Sequence, residues 1–192
     1  MTNKRRYAIV MILCVFCNTA FYELAEAMHW PVWLDSTGTA LAALASEPTA
    51  RLLVCLTNNF LLAILQGDAS SLFYYAVSAD VALIVGIYMR KDGKIKIARI
   101  LPTLLLLIVT TTILSAGLTL WRSGGTLDAW SEIAAYDWIS TFGVPHLLAL
   151  FGGTGIIKLF DTVATGVLVA VLYLMMPKCL KHAPQTKSIQ AS

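Results

Sequence analysis

Long apolar runs, each close to the length of a bilayer crossing, are separated along this chain by short charged or turn-forming breaks. A helix rising 1.5 Å per residue needs about 20 apolar residues to cross the hydrocarbon. The runs predict helices over 7–22, 31–45, 50–66, 72–89, 100–121 and 155–176, with an inner loop at 90–99 and a longer outer segment at 122–153. The fifth run is the clearest, and Pro102 falls in its first turn, where a missing N–H is tolerated. The second is too short to cross alone unless it is tilted or covered by its neighbours. Within the outer segment Leu127, Trp130, Ile133, Ala134 and Trp138 recur at near-helical spacing, which predicts a helix lying along the interface. Pro145, His146 and the Gly152–Gly153 pair are expected to return the chain to the last span. A lid and an ordinary interfacial helix both fit that pattern.

Composition agrees. Hydrophobic residues make up 58% of the 192 and charged ones 13%, against about a quarter charged in soluble domains. Mean hydropathy is +0.73. The reading is an all-α polytopic membrane protein, a single domain over 1–192 with six transmembrane helices in a compact bundle. The basic start "MTNKRRYAIVMILCVFCNTAFYEL" reads as an uncleaved first span. Cys14 and Cys17 form a C-x-x-C inside an apolar helix without a nearby His, and so read as small hydrophobes.

Charge orients the spans. Lys4, Arg5, Arg6, Arg51, Arg90, Lys91, Lys94, Lys96, Arg99, Lys178, Lys181 and Lys187 fall on one side of the six-span drawing, and only Arg122 and Lys158 fall elsewhere. Both termini are therefore expected on the cytoplasmic side. Trp30, Trp33, Trp121, Trp130 and Trp138 then collect at the outer interface. Glu47 and Asp92 are inside and the other acids are outer or within spans. The net charge of +3 is a cytoplasmic Lys/Arg excess and implies no nucleic acid.

Polar groups within the spans are the candidates for function. Thr154, Lys158, Asp161 and Thr165 share one face of the last helix, where Lys158 can pair with Asp161 at i,i+3. A buried ion pair that fixes helix rotation explains them equally well. Asn58 and Asn59 sit mid-helix in the third span, with Gln66 on the face of Asn59, placed either for interhelical amide bonds or for a ligand. Asp80 lies in the fourth span without a local cation. Thr112, Ser115 and Thr119 stripe the fifth, where back-bonding to helix carbonyls is the plainer explanation. Gly38, Ala42 and Ser46 give the second span a small-residue face, for internal packing or for docking a partner. Asp35 is expected to cap that helix. No nucleotide-binding loop, no H-E-x-x-H, no G-x-S-x-G and no Cys/His cluster occurs, so neither ATP hydrolysis nor a metal or other cofactor is implied.

The stretch "PVWLDSTGTALAAL" resembles the signature opening the second helix of substrate-binding S-components of energy-coupling factor (ECF) transporters. "LTNNFLLAIL" is similar to a helix of that family, and "KLFDTVATGVLVAVLYLMMP" to its last helix. The resemblance runs through nearly the whole chain in order. It implies a capture subunit in a bacterial inner membrane that binds a small vitamin or related micronutrient in an outward-facing pocket and docks on a scaffold membrane subunit driven by two cytoplasmic ATPases. Substrate-binding residues would be Trp30, Trp33, Asp35, Asn59, Gln66, Lys158 and Asp161. Docking would use Gly38, Ala42 and Ser46, since Ile12 follows Ala8 at i+4 where many relatives have an Ala-xxx-Ala face. A membrane-embedded sensor using the same fold is the alternative. An intramembrane enzyme built on Asp80, Asp161 and Lys158 lacks any motif, and the chain is expected not to be an enzyme.

Overall fold

A computed structural model describes residues 3–91 and 94–181; Asp92, Lys187 and the two chain ends, which were assigned to the inner side, lie outside the described residues. The helices are α1 (Asn3–Ala27), α2 (Thr37–Ala45), α3 (Pro48–Gln66), α4 (Tyr75–Ile84), α5 (Ile100–Ser123), α6 (Trp130–Ser140), α7 (His146–Met175) and α8 (Lys178–Lys181). A 3-10 turn at Ala69–Leu72 leads into α4 and a π-helical turn at Val85–Met89 extends it. The remaining regular structure is a two-residue antiparallel pair, Arg90–Lys91 with Lys94–Ile95, and a 3-10 turn at Ile97–Arg99. Five helical stretches are long and apolar enough to cross a membrane: Arg5–Ala27, Pro48–Gln66, Ala69–Met89, Ile97–Ser123 and His146–Met175. Their outward faces carry Ile12, Phe16, Phe60, Ile64, Val109, Ile113, Val167 and Leu174, all exposed and apolar. That is the surface expected of a protein whose solvent is lipid.

The second predicted span differs. Of residues 31–45 only Thr37–Ala45 is helix, and all nine of its residues are buried. Such a helix ends with unpaired N–H and C=O groups on both sides, which must find partners in an apolar interior. α1 supplies them. Asn18, fully buried, accepts from Gly38 N at 2.5 Å and Thr39 N at 3.1 Å and donates to Thr39 Oγ1 at 3.0 Å. At the other end Arg6 donates to the Ala45 carbonyl at 3.1 Å, a cation on the negative pole of the helix. Asn18 and Arg6 are about 18 Å apart along α1, the length of α2 plus its caps. Asp35, expected as the cap, accepts instead from the Ser36 hydroxyl at 3.1 Å and leaves the helix N–H groups to Asn18.

The small-residue row is buried too. A Cβ on Gly38 would lie 1.8 Å from the Cys14 carbonyl oxygen, and Ala42 and Ser46 are buried beside it. The row is the packing surface that lets α1 reach α2 and leaves a partner nothing to touch.

α7 also starts earlier than expected, at His146 rather than 155. Gly152 and Gly153, expected in a return loop, lie inside the helix. A Cβ at Gly153 would come within 2.9 Å of Tyr136 N, and one at Gly152 within 2.7 Å of the Ile139 side chain. The pair gives α6 a seat on α7. α6 is the helix predicted in the outer segment, with Trp130, Ile133 and Trp138 exposed and Ser131 and Glu132 turned inward.

Candidate functional site

Two cavities flank the middle of α7. One is polar, about 230 Å³, and lies at the end where the tryptophans collect. The tip of α1, the 28–36 loop, α3, α4, α5, α6 and α7 all reach it. Five of the seven residues predicted to bind substrate line its wall: Trp33, Asp35, Asn59, Gln66 and Lys158. Trp30 is exposed and lines neither cavity, while Asp161 lines the second one.

Asp161 has a different task from the one expected. Its Oδ1 accepts from Trp33 N at 3.0 Å and Leu34 N at 2.9 Å. Leu34 is almost fully buried with φ at +55°, a conformation that costs a branched residue free energy and persists only where neighbours hold it. Two charge-assisted bonds from α7 supply that hold. They fix Trp33 and Asp35 on the cavity wall. The predicted Lys158–Asp161 ion pair does not form at contact distance, because the carboxylate is taken up by the loop. The Lys158 ammonium lies over the Trp33 ring instead, 4.0 Å from its centroid. Lys158 is only 5% exposed, yet among the described residues its ammonium makes neither an ion pair nor a hydrogen bond.

The two amides on the cavity wall are committed to the protein. Asn59 donates to the Cys55 carbonyl at 2.9 Å and to Ser78 Oγ at 3.0 Å, tying α3 to α4. Gln66 donates to the Tyr22 hydroxyl at 2.6 Å and accepts from Ser71 Oγ at 2.5 Å. Each still presents an edge to the cavity, and Tyr74, bonded to Thr119 at 3.2 Å, completes that wall. Asn58 is buried outside both cavities. Thr112 back-bonds to the Ile108 carbonyl at 2.6 Å as expected, and Asp80 accepts from Thr110 at 2.6 Å on the side of α4 that faces α5.

Glu132 was missed in the sequence. It sits on α6, 6% exposed, and lines the polar cavity. Burial pushes its carboxyl above the ordinary glutamate range, against the pull of the Lys158 charge and the Thr154 hydroxyl. The signal was faint: Glu132 is the one acid on the inward face of a helix whose spacing drew attention only to its aromatics. At the rim, Arg122 pairs with Asp68 at 3.7 Å and with Asp128. Asp68 is exposed, and its pKa is lowered by hydrogen bonds from Ser70, with Arg122 adding to them.

The second cavity is larger, about 600 Å³, and runs between α4, α5 and α7 over the buried α2. Leu44, Val81, Val85, Leu104, Leu107 and Val169 line it, with Lys158, Asp161 and Thr165 at one end. The Thr154–Lys158–Asp161–Thr165 face is buried along its whole length, as its spacing predicts.

Fold and site together define an all-helical membrane protein with a polar cavity at one end. No protein-family model matches the chain, and no curated protein or solved structure does either.

Proposed function

We propose that this protein is a substrate-capture subunit of the ECF importer type, binding a small vitamin or related micronutrient in the polar cavity and exchanging it with a scaffold membrane subunit and two cytoplasmic ATPases. One observation carries the reading. A buried ammonium that has, among the described residues, no carboxylate at ion-pair distance and no hydrogen bond faces a polar cavity of about 230 Å³, whose walls come from seven separate parts of the chain. Buried charge is costly in an apolar setting and is kept where it has a task. In this reading the cavity opens outward, the termini face the cytoplasm, and residues 28–45 make a sixth crossing, first as loop and then as α2. Docking falls to the exposed face of α1 around Ala8, Ile12 and Phe16, because the Gly38 row is buried. The chain itself performs no chemical step.

Thermal unfolding of the purified protein in detergent, against a panel of vitamins, nucleobases and amino acids, tests this. A ligand at a hundredfold excess over its Kd stabilises by about 2.7 kcal/mol, and Asp35→Ala abolishes the shift. A panel that leaves the midpoint unmoved overturns the capture reading and favours a sensor that signals to a protein partner.

A further inference from the structure

Resting on the capture reading, the polar cavity also carries information about the charge of its cargo. Four carboxylates line it, Asp35, Asp68, Asp128 and Glu132, against two cations, Arg122 and Lys158. Arg122 is committed to Asp68 and Asp128 at the rim. Deeper in, Lys158 stands within electrostatic reach of Asp35 on one side and Glu132 on the other. Neither acid has a cation at ion-pair distance among the described residues. Asp161 adds a further negative charge behind Asp35. An anion entering this space would meet two acids that share one ammonium between them.

The position of that ammonium is informative in itself. Lys158 lays its charge on the face of Trp33, 4.0 Å from the ring centroid, so this face has room and the right polarity for a cation. Lysine is a compact charge on a flexible four-carbon stem. Lys158 also lines the apolar cleft next door, where Thr165 and Asp161 lie, so its head has a second place to go.

We infer that the polar cavity binds a small cationic molecule, whose protonated nitrogen takes the place on the Trp33 ring, facing Asp35 and Glu132, that the Lys158 ammonium holds in this structure. Lys158 is then an internal competitor that the ligand displaces toward the cleft. The cavity volume restricts the molecule to roughly the size of a single heterocycle with a short arm.

Probes of similar size and opposite charge test this on the full chain in detergent: tryptamine and histamine as cations, indole-3-propionate and nicotinate as anions, each by thermal shift and by calorimetric titration. The cations are expected to bind and the anions not. Glu132→Gln weakens cation binding about tenfold, as loss of a buried charge partner does, whereas Lys158→Met, which removes the internal competitor, tightens it. Binding by the anions alone overturns the assignment and leaves the capture reading in place, as does cation binding lost in Lys158→Met but kept in Glu132→Gln. Silence from all four probes and from the wider panel overturns both.

Discussion

The two cavities share two side chains, Val77 and Lys158, and little else. The cleft between α4, α5 and α7 has more than twice the volume of the polar cavity, and its walls are leucine, valine and alanine with a few polar atoms at one end. The polar cavity is small, but hydroxyls, amides and charges from seven parts of the chain converge on it. In a protein solvated by lipid, an apolar cleft presents the same chemistry as the surrounding acyl chains and needs no special groups to maintain it. A polar cavity must be held against the same environment by every group in its wall. Volume is therefore a poor guide to function here, and the cost of maintaining the wall is a better one. Lys158, reaching both cavities, marks where the two environments meet.

The comparison can be broken most forcefully at Asp161. Asp161→Ala removes the acceptor of two backbone N–H groups and releases Leu34 from its left-handed conformation. A loss of about 3 kcal/mol is expected, seen as a lowered denaturation midpoint in detergent, together with loss of ligand binding. Unchanged stability would mean that the loop is held by something else.

A smaller effect, of opposite sign, is expected at Glu132. Its carboxyl titrates above the ordinary range in the folded protein, so folding takes up a proton as pH rises past the unfolded value near 4.5. Stability therefore falls between that value and the raised folded one, and levels off above it. Glu132→Gln should abolish the slope and stabilise the protein near neutral pH by about 1 kcal/mol, while weakening the ligand. A flat profile in the unmodified protein would contradict this.

The smallest effect is expected in the cleft. Val167→Phe adds volume at an exposed position on its lip and should change stability by no more than about 0.5 kcal/mol and ligand affinity not at all. A binding defect there would make the cleft part of the site.

Much of this was legible in the sequence because lipid imposes simple rules. Apolar length marked the five long helices, and the i, i+4, i+7 spacing of Thr154, Lys158 and Asp161 marked the buried face of α7. What escaped depends on pairing across the fold. Nothing local in "LDSTG" says that Asn18 rather than Asp35 closes the N-terminus of α2, since both are short side chains able to accept from an N–H. Gly152–Gly153 reads as a chain break until α6 is known to press on it. Asp161 and Lys158 have the spacing of an ion pair, but a loop 127 residues away in sequence supplies the better donors. Glu132 was hidden because an acid on an interfacial helix looks like one more solvated charge.

The double capping of α2 by α1 bears on how the chain enters its membrane. A nine-residue apolar helix with bare ends cannot leave water by itself, for its terminal amides and carbonyls would be stranded in hydrocarbon. Asn18 and Arg6 already stand on the preceding helix at matching heights. Residues 3–45 are thus expected to insert as one unit, a hairpin whose long arm carries the solvation of the short one.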